Sequence, residues 1–210
     1  MTSEKRQEIL SQCQTHSERK RTAELIRPIL RGRDIKQYGY DWNDLWLINI
    51  HNGVKGKVKK IDIDEYPSIK SHLDQFIEKI TKRSDKGDTP YNLRNCVYLD
   101  NFSKPKLLYS DISTRLNFVY SEEHIFCNNT VYFITSDRKE ELLYLQNYLN
   151  SPLMDWYYRT LSVQLGEETV RLFSIYVLEI PIPKHSGGNI YQTFALSPEE
   201  INFIESQYSQ

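Results

Sequence analysis

The sequence predicts an α+β domain with a mixed, mainly antiparallel twisted sheet and several packed helices. Short β-rich runs alternate with helical patterns but without strict βαβ order, and apolar residues make up 39% of the chain, enough for a core. The length of 210 residues suits one large domain or one domain with terminal extensions. We expect an N-terminal helical extension over 1–24, a main domain over 25–184, and a linker with a short helix over 185–210.

The first half of the chain is expected to contain two helices and one β-rich region. Ser17 can cap a short helix that must end before Pro28, because proline disfavours the helical conformation in the residue before it. Residues 45–50 are β-rich and are closed by the turn signal at Gly53. The clearest helix begins at Pro67 as its first residue. Its apolar stripe at helical spacing consists of Ile69, Leu73, Phe76, Ile77 and Ile80.

The second half is expected to alternate short strands with helices. Strands are predicted at 97–99, 106–109, 116–120 and 130–134. A helix over 139–149 follows, and Ser151 with Pro152 predicts the start of another helix. Ser197 and Glu200 have the spacing of a capping box and predict a terminal helix.

The charge of the chain is asymmetric, although its net value is only −1. Residues 1–106 contain 21 Lys and Arg against 15 Asp and Glu, whereas residues 107–210 contain 6 against 13. This imbalance favours one face for a polyanion and another face for a different partner. Chance clustering on a solvated surface explains the same counts, so charge alone does not decide the function.

The motifs of several enzyme classes are missing from the sequence. A methyltransferase needs a Gly-rich loop after a strand for S-adenosylmethionine and an Asn-Pro-Pro-aromatic motif, and neither is present. The clustered acids Asp62, Asp64 and Glu65 precede a helix N-terminus, where carboxylates are stabilising. The histidines and cysteines lack metal-binding spacings. We therefore expect no catalytic residues, no metal site and no cofactor bound by this chain.

Membrane and secretory segments are also missing from the sequence. No apolar run approaches the roughly 20 residues that cross a bilayer, and the N-terminus lacks the apolar region of a secretory signal. We therefore expect a cytoplasmic chain without a membrane partner. The three widely spaced cysteines, Cys13, Cys96 and Cys127, are expected to be reduced thiols.

An ordered set of short runs extends over about residues 25–184. The runs are Ile26-Arg27-Pro28-Ile29-Leu30-Arg31-Gly32-Arg33-Asp34-Ile35, followed by 66–70, 85–87 with 91–94, 104–106, 128–134, 148–151 and 180–183. In this order they resemble the TaqI-like C-terminal specificity domain. That family supplies the target recognition domain of type IIG restriction–modification enzymes and adenine-N6 DNA methyltransferases, and it is related to type I specificity subunits.

The resemblance implies a non-catalytic module that recognises a specific sequence in double-stranded DNA. Such a module positions a methyltransferase/endonuclease domain or subunit, which itself uses S-adenosylmethionine and Mg. Lysine and arginine hold phosphates, whereas arginine reads guanine and asparagine reads adenine in the major groove. The candidate DNA-binding residues, all polar and in the positive half, are Arg31, Arg33, Lys55, Lys57, Lys82, Arg83, Lys86, Asn92 and Arg94.

Two further expectations concern the surfaces of the domain. The clusters 31–33 and 82–94 are expected to converge on one recognition face. The loop after Leu165 reads Gly166-Glu167-Glu168 where such domains are often Gly-rich, and its acids would repel a phosphate backbone. The alternative function is a protein–protein docking module of a restriction–modification or related multi-subunit complex, in which the acidic half contacts a partner and no base is read.

Overall fold

A computed structural model of the protein describes residues 1–166, 168–183 and 188–208. Glu167 of the acidic loop, residues 184–187, which include the start of the expected linker, and residues 209–210 lie outside the described residues. The chain forms two compact units. Unit 1 comprises Met1–Ile29, Asn43–Ser103 and His124–Phe126, and unit 2 comprises Leu30–Trp42, Lys104–Glu123 and Cys127–Gln210.

Groups of helices and groups of strands follow one another along the chain. The α-helices are α1 (Ser3–Ser11), α2 (His16–Leu25), α3 (Pro67–Asp74), α4 (Ile77–Thr81), α5 (Lys139–Leu149), α6 (Pro152–Leu161), α7 (Ser174–Val177), α8 (Ile190–Thr193) and α9 (Pro198–Tyr208). The strands are β1 (Ile26–Leu30), β2 (Ile35–Lys36), β3 (Gly39–Tyr40), β4 (Trp46–Ile48), β5 (Lys106–Ser110), β6 (Ile112–Ser113), β7 (Val119–Ser121), β8 (Phe126–Cys127), β9 (Val131–Thr135), β10 (Gln164–Leu165) and β11 (Thr169–Arg171). Short 3-10 turns lie at Gly32–Asp34, Ile63–Glu65 and Leu99–Ser103.

The strands form several small sheets, with the orders β4-β1-β8, β7-β5-β9, β10-β11-β6 and β2-β3. In unit 2, β5 is the central strand and pairs antiparallel with β7 and β9, so that Leu108 lies opposite both Val119 and Phe133. The pairs β1–β4, β2–β3, β10–β11 and β6–β11 are antiparallel as well. The predicted α+β class with mainly antiparallel pairing is therefore confirmed, and the pairing is divided among small sheets.

Each unit has its own apolar core. The core of unit 1 contains Ile9 from α1 and Ile69 from α3. The core of unit 2 contains Tyr158 from α6 and Ile204 from α9. Segments 1–24 and 185–210 therefore supply core side chains, and the domain boundaries expected from the sequence stay a prediction. Within the described ranges, no helix combines the length and the apolar character that a membrane span requires.

Several helix ends agree with their local sequence signals. Helix α5 has the predicted bounds, and α3 begins with Pro67 as its first residue. The hydroxyl of Ser151 accepts a hydrogen bond from the backbone of Met154 at 3.3 Å, which caps α6. Ser197 and Glu200 form the predicted capping box, because each side chain accepts from the backbone amide of the other residue.

Helix α2 is capped by Thr15 rather than by Ser17. The Thr15 hydroxyl accepts a hydrogen bond from the backbone of Glu18 at 3.0 Å, while Ser17 lies inside the first helical turn. Thr15 has the extended backbone that an N-cap requires. Two hydroxyl residues, two positions apart, satisfy the same sequence pattern, and the backbone conformation selects between them.

The apolar stripe that begins in α3 does not form one continuous helix. Phe76 leaves the helical conformation, with φ −117° and ψ 14°, and α4 begins at the next residue. Ile69 is fully buried, whereas the Phe76 side chain is 42% exposed. Regular apolar spacing predicts a helical period, but it does not report whether neighbouring elements cover that face along its whole length.

The strand predicted at 97–99 is wrong. Val97 and Tyr98 form a turn that leads into the 3-10 turn Leu99–Ser103. The ring of Tyr98 lies 6.0 Å from the ring of Phe102, four residues further along. The β-branched and aromatic composition of this run is typical of a strand, but this local packing favours a turn.

Candidate nucleic-acid interface

Two segments of unit 1 contain most of the cations that the sequence assigns to DNA binding. Segment 52–60 is a tight hairpin closed by a bridge between Val54 and Val58. Segment 81–95 begins at Thr81, the last residue of α4, and continues as an irregular loop. Together the segments contain eight Lys and Arg against two Asp, and we call them the basic surface.

Hydrogen bonds join the two segments of the basic surface. The side-chain amide of Asn52 donates to the carboxylate of Asp88 at 2.9 Å and to the side-chain carbonyl of Asn95 at 2.6 Å. The side-chain oxygen of Asn52 accepts a hydrogen bond from the backbone amide of Asp88 at 3.0 Å. The same carboxylate accepts from Lys60 at 2.9 Å. The hairpin and the loop therefore hold one fixed arrangement.

Asn92 lies inside the loop rather than on its surface, contrary to the prediction that it reads a base. Its side chain is buried, and its residue is only 2% exposed. The amide donates to the backbone carbonyls of Ile61 at 3.0 Å and His51 at 3.4 Å, and the side-chain oxygen accepts from the hydroxyl of Thr89 at 2.6 Å. Its hydrogen-bonding atoms are thus engaged, and Asn92 holds the loop against the neighbouring segment.

Arg83 also faces the loop rather than the solvent. Its guanidinium donates to the backbone carbonyls of Pro90 at 2.9 Å and Asn92 at 3.2 Å. The side chain is half-buried, and its Nε is buried without a hydrogen-bond partner among the described residues. We therefore assign Arg83 a structural role in closing the loop, which differs from the predicted DNA contact.

Five predicted DNA-binding residues of unit 1 are exposed on the basic surface, namely Lys55, Lys57, Lys82, Lys86 and Arg94. Lys55 and Lys57 flank the hairpin tip at Gly56, which has a φ of 76° that favours glycine. Among the described residues, none of the five forms an ion pair with a carboxylate. Lys86 donates to the backbone carbonyl of Thr81 at 2.6 Å, which leaves two of its three N–H groups for other acceptors.

The two remaining candidates, Arg31 and Arg33, lie in unit 2 and have different surroundings. Arg31 donates to both carboxylate oxygens of Asp34, from Nε at 3.1 Å and from Nη2 at 3.0 Å. The Asp34 side chain is fully buried, so the fork of Arg31 is occupied within the protein. Arg33 is exposed. Since Arg31 and Arg33 belong to unit 2 and Lys82 to Arg94 belong to unit 1, their convergence on one face stays a prediction.

A half-buried histidine supports the hairpin of the basic surface. Nδ1 of His51 accepts a hydrogen bond from the backbone of Gly53 at 3.2 Å, at the residue where φ reaches 75°. Burial lowers the pKa of His51 below its ordinary value of 6.5. A neutral imidazole is required for this contact, because a protonated ring has no acceptor nitrogen.

A separate polar groove of about 700 Å³ lies in unit 2. It contains Arg115, whose guanidinium lies 4.3 Å from the centre of the Tyr208 ring, and Asp155, which pairs with Arg159 at 3.0 Å. No sequence motif predicts this groove, because its residues come from distant parts of the chain. Among the described residues, no group of three or more histidines, cysteines and carboxylates is arranged to hold a metal ion.

Comparison with known proteins agrees with the resemblance seen in the ordered runs. The profile of the TaqI-like C-terminal specificity domain matches residues 27–182. The type II methyltransferase M.XhoI of Xanthomonas vasicola is 25% identical over 159 residues, which cover 74% of this chain and 28% of that protein. The chain thus corresponds to little more than a quarter of the length of this relative. Because the family profile matches most of the sequence, the chain belongs to the family of TaqI-like C-terminal specificity domains.

Proposed function

We propose that the chain is a sequence-specific recognition module for double-stranded DNA in a restriction–modification system. It positions an adenine-N6 methyltransferase with endonuclease activity on its site, as a domain or subunit of the same cytoplasmic system. Membership of a specificity-domain family and the likeness to a type II methyltransferase support this proposal. The observation that carries it is the basic surface, with its exposed cations on two segments that Asn52 joins.

The geometry of the basic surface suits a division between residues that hold phosphates and residues that read bases. Lys82 and Lys86 present compact ammonium groups near the end of α4, and such groups suit phosphates, which supply affinity without sequence information. Arg94 presents a planar fork in the loop, and such a fork matches the O6 and N7 acceptors of guanine. Because the segments are joined before DNA arrives, less conformational entropy is lost on binding.

The chemistry of modification belongs to the parent enzyme in this proposal. The specificity module binds neither S-adenosylmethionine nor Mg, and both act in the catalytic part. Highly purified chain is therefore expected to neither methylate nor cleave duplex DNA when it is incubated with magnesium and labelled S-adenosylmethionine. Stoichiometric binding of the methyl donor, or turnover that is lost on changing a residue of this chain, would contradict this assignment.

A salt series of duplex binding tests the proposed DNA recognition. The affinity for random duplex should fall steeply with salt, with a slope of about −0.9 for each phosphate contact. The variant Lys55→Ala with Lys57→Ala should have a shallower slope than the wild type. Lys20→Ala is the matched control, because Lys20 is an exposed lysine of unit 1 outside the basic surface. Absence of affinity at every salt concentration would contradict the proposal.

A protein-docking function is favoured by a different surface, in unit 2. Leu178 is 79% exposed and follows α7 directly, and Ile175 and Ile182, three and four positions away in the sequence, are exposed as well. Exposed apolar residues that lie close together are typical of surfaces that bind protein partners. The two functions are compatible, since a specificity domain also has to associate with its catalytic part. Docking without DNA recognition would give a chain that binds no duplex at any salt concentration.

A further inference from the structure

An exposed apolar turn follows directly after segment 81–95 of the basic surface. Val97 is 81% exposed, the largest fraction among the exposed large apolar side chains of the described residues, and its neighbour Tyr98 is exposed as well. Arg94 lies only three residues before Val97. The turn therefore presents a branched apolar side chain close in sequence to the arginine that we propose reads a base.

Contacts on both sides hold this turn in place. On one side, the side chain of Asn95 accepts the 2.6 Å hydrogen bond from Asn52. On the other side, the Tyr98 ring packs at 6.0 Å from Phe102, which is buried and stacks on Phe126 at 4.4 Å. The residues on both sides of Val97 are therefore held by contacts within unit 1, and little conformational entropy would be lost when a partner covers Val97.

Exposure of a single apolar side chain is common and by itself carries no function. Val97 differs because it lies two residues after segment 81–95 of the basic surface, a surface that contains eight cations against two carboxylates. A surface with this charge suits a polyanion such as the duplex DNA of the proposed function, and duplex DNA presents one apolar group in its major groove, the 5-methyl group of thymine. The chemistry of the turn therefore matches a base edge and not a phosphate.

We infer that Val97 contacts the 5-methyl group of a thymine in the major groove and contributes to the choice of that base pair. The inference rests on the proposed DNA recognition and adds an apolar contact to the polar readout by Arg94. Val97 is a specificity-determining residue in this arrangement, because the same methyl group is missing from cytosine and from the purines.

Deoxyuridine substitution tests this contact, because uracil differs from thymine only by the missing methyl group. A duplex selected by the wild-type chain is prepared with each thymine replaced singly by deoxyuridine. Wild-type affinity should fall about fourfold at one position, as expected for one buried methyl group. Val97→Ala should bind the thymine duplex about fourfold more weakly and show no further loss with uracil at that position.

A matched control separates this contact from a general effect of removing an exposed valine. Val163 is 52% exposed and lies in unit 2, so Val163→Ala should retain both the affinity and the uracil sensitivity of the wild type. Both variants should keep the wild-type melting temperature. The inference is overturned if Val97→Ala binds as tightly as the wild type or keeps the same uracil sensitivity. If the Val97 contact is overturned in this way while the wild type still binds the duplex, the proposed DNA recognition stands. If the wild type binds no duplex, both the Val97 contact and the proposed DNA recognition are overturned.

Discussion

The side-chain amide of Asn52 donates a hydrogen bond of 2.6 Å to the side-chain carbonyl of Asn95, and these residues are 43 positions apart. The second hydrogen of the same amide is donated to Asp88 at 2.9 Å. Asn52 thereby joins the hairpin and the loop of the basic surface without contributing a charge. A polar residue in this position controls how the neighbouring cations are arranged.

Replacing Asn52 with alanine is expected to weaken binding to every duplex, although no cation is removed. The change removes the hydrogen bonds to Asp88 and Asn95, so the two segments would have to be ordered during binding. Fluorescence anisotropy with random duplex measures the effect. Asn129→Ala is the control, because Asn129 is exposed and lies in unit 2. If Asn52→Ala bound duplex as tightly as the wild type, the hydrogen bonds that join the two segments would not be needed for binding.

Replacing Lys82 and Lys86 together with alanine should weaken binding to all sequences alike. If both ammonium groups hold phosphates, the slope of log affinity against log salt should become shallower by about one unit for each lost contact. The preference between selected and random duplexes should stay unchanged. An altered base preference in this variant would show that at least one of the two lysines reads DNA sequence.

Replacing Arg94 with alanine should reduce affinity for the preferred site by roughly 1–3 kcal/mol and relax the preference at one base pair. Arg94→Lys distinguishes reading from holding, because lysine keeps the charge but loses the bidentate fork. Selection of duplexes by each variant measures the preference. The same pair of substitutions at Arg33 tests the second exposed arginine. If the affinity fell equally for all duplexes and the sequence preference stayed unchanged, these arginines would be phosphate contacts.

Replacing Arg31 with alanine should lower stability rather than sequence preference. The change leaves the buried carboxylate of Asp34 without its paired guanidinium, and breaking such a pair costs about 3 kcal/mol. Arg33→Ala is the matched control, because Arg33 is exposed two positions away and should leave the free energy of unfolding nearly unchanged. Denaturant unfolding of both variants gives the comparison. Equal stability of the two variants would contradict the structural role of Arg31.

The stability of unit 1 is expected to fall as the pH drops below 6.5, in part because of His51. Burial lowers the pKa of His51 in the folded state, so the unfolded state takes up the proton first. The contribution of the neutral ring is complete above 6.5 and is lost as the pH falls through the folded pKa. His51→Asn keeps an acceptor for the backbone of Gly53 but does not titrate. The melting temperature of His51→Asn should therefore depend less on pH between 7.5 and 5 than that of the wild type. Identical pH profiles of the two proteins would contradict the contribution of the neutral His51 ring to stability.

Local chemistry explains why part of the fold could be predicted from the sequence. The capping box at Ser197 and Glu200 and the cap at Ser151 depend on contacts between residues three positions apart, so the pattern itself contains both partners. The α+β class follows from the alternation of short runs, and the family follows from the order of the motifs along the chain. The split of the predicted helix at Phe76 was missed, because coverage of an apolar face depends on distant elements.

The availability of each candidate site residue was decided by the tertiary structure. Asn92 and Arg94 are both polar residues in one loop, and the sequence treats them alike. The amide of Asn92 reaches carbonyls that lie 41 and 31 positions away, whereas Arg94 remains exposed. A polar side chain has the same donors whether it binds a carbonyl of its own chain or a base of DNA. The sequence by itself therefore determined the family and the cationic character of the surface. The long-range hydrogen bonds of the folded chain decided which side chains are left to meet a partner.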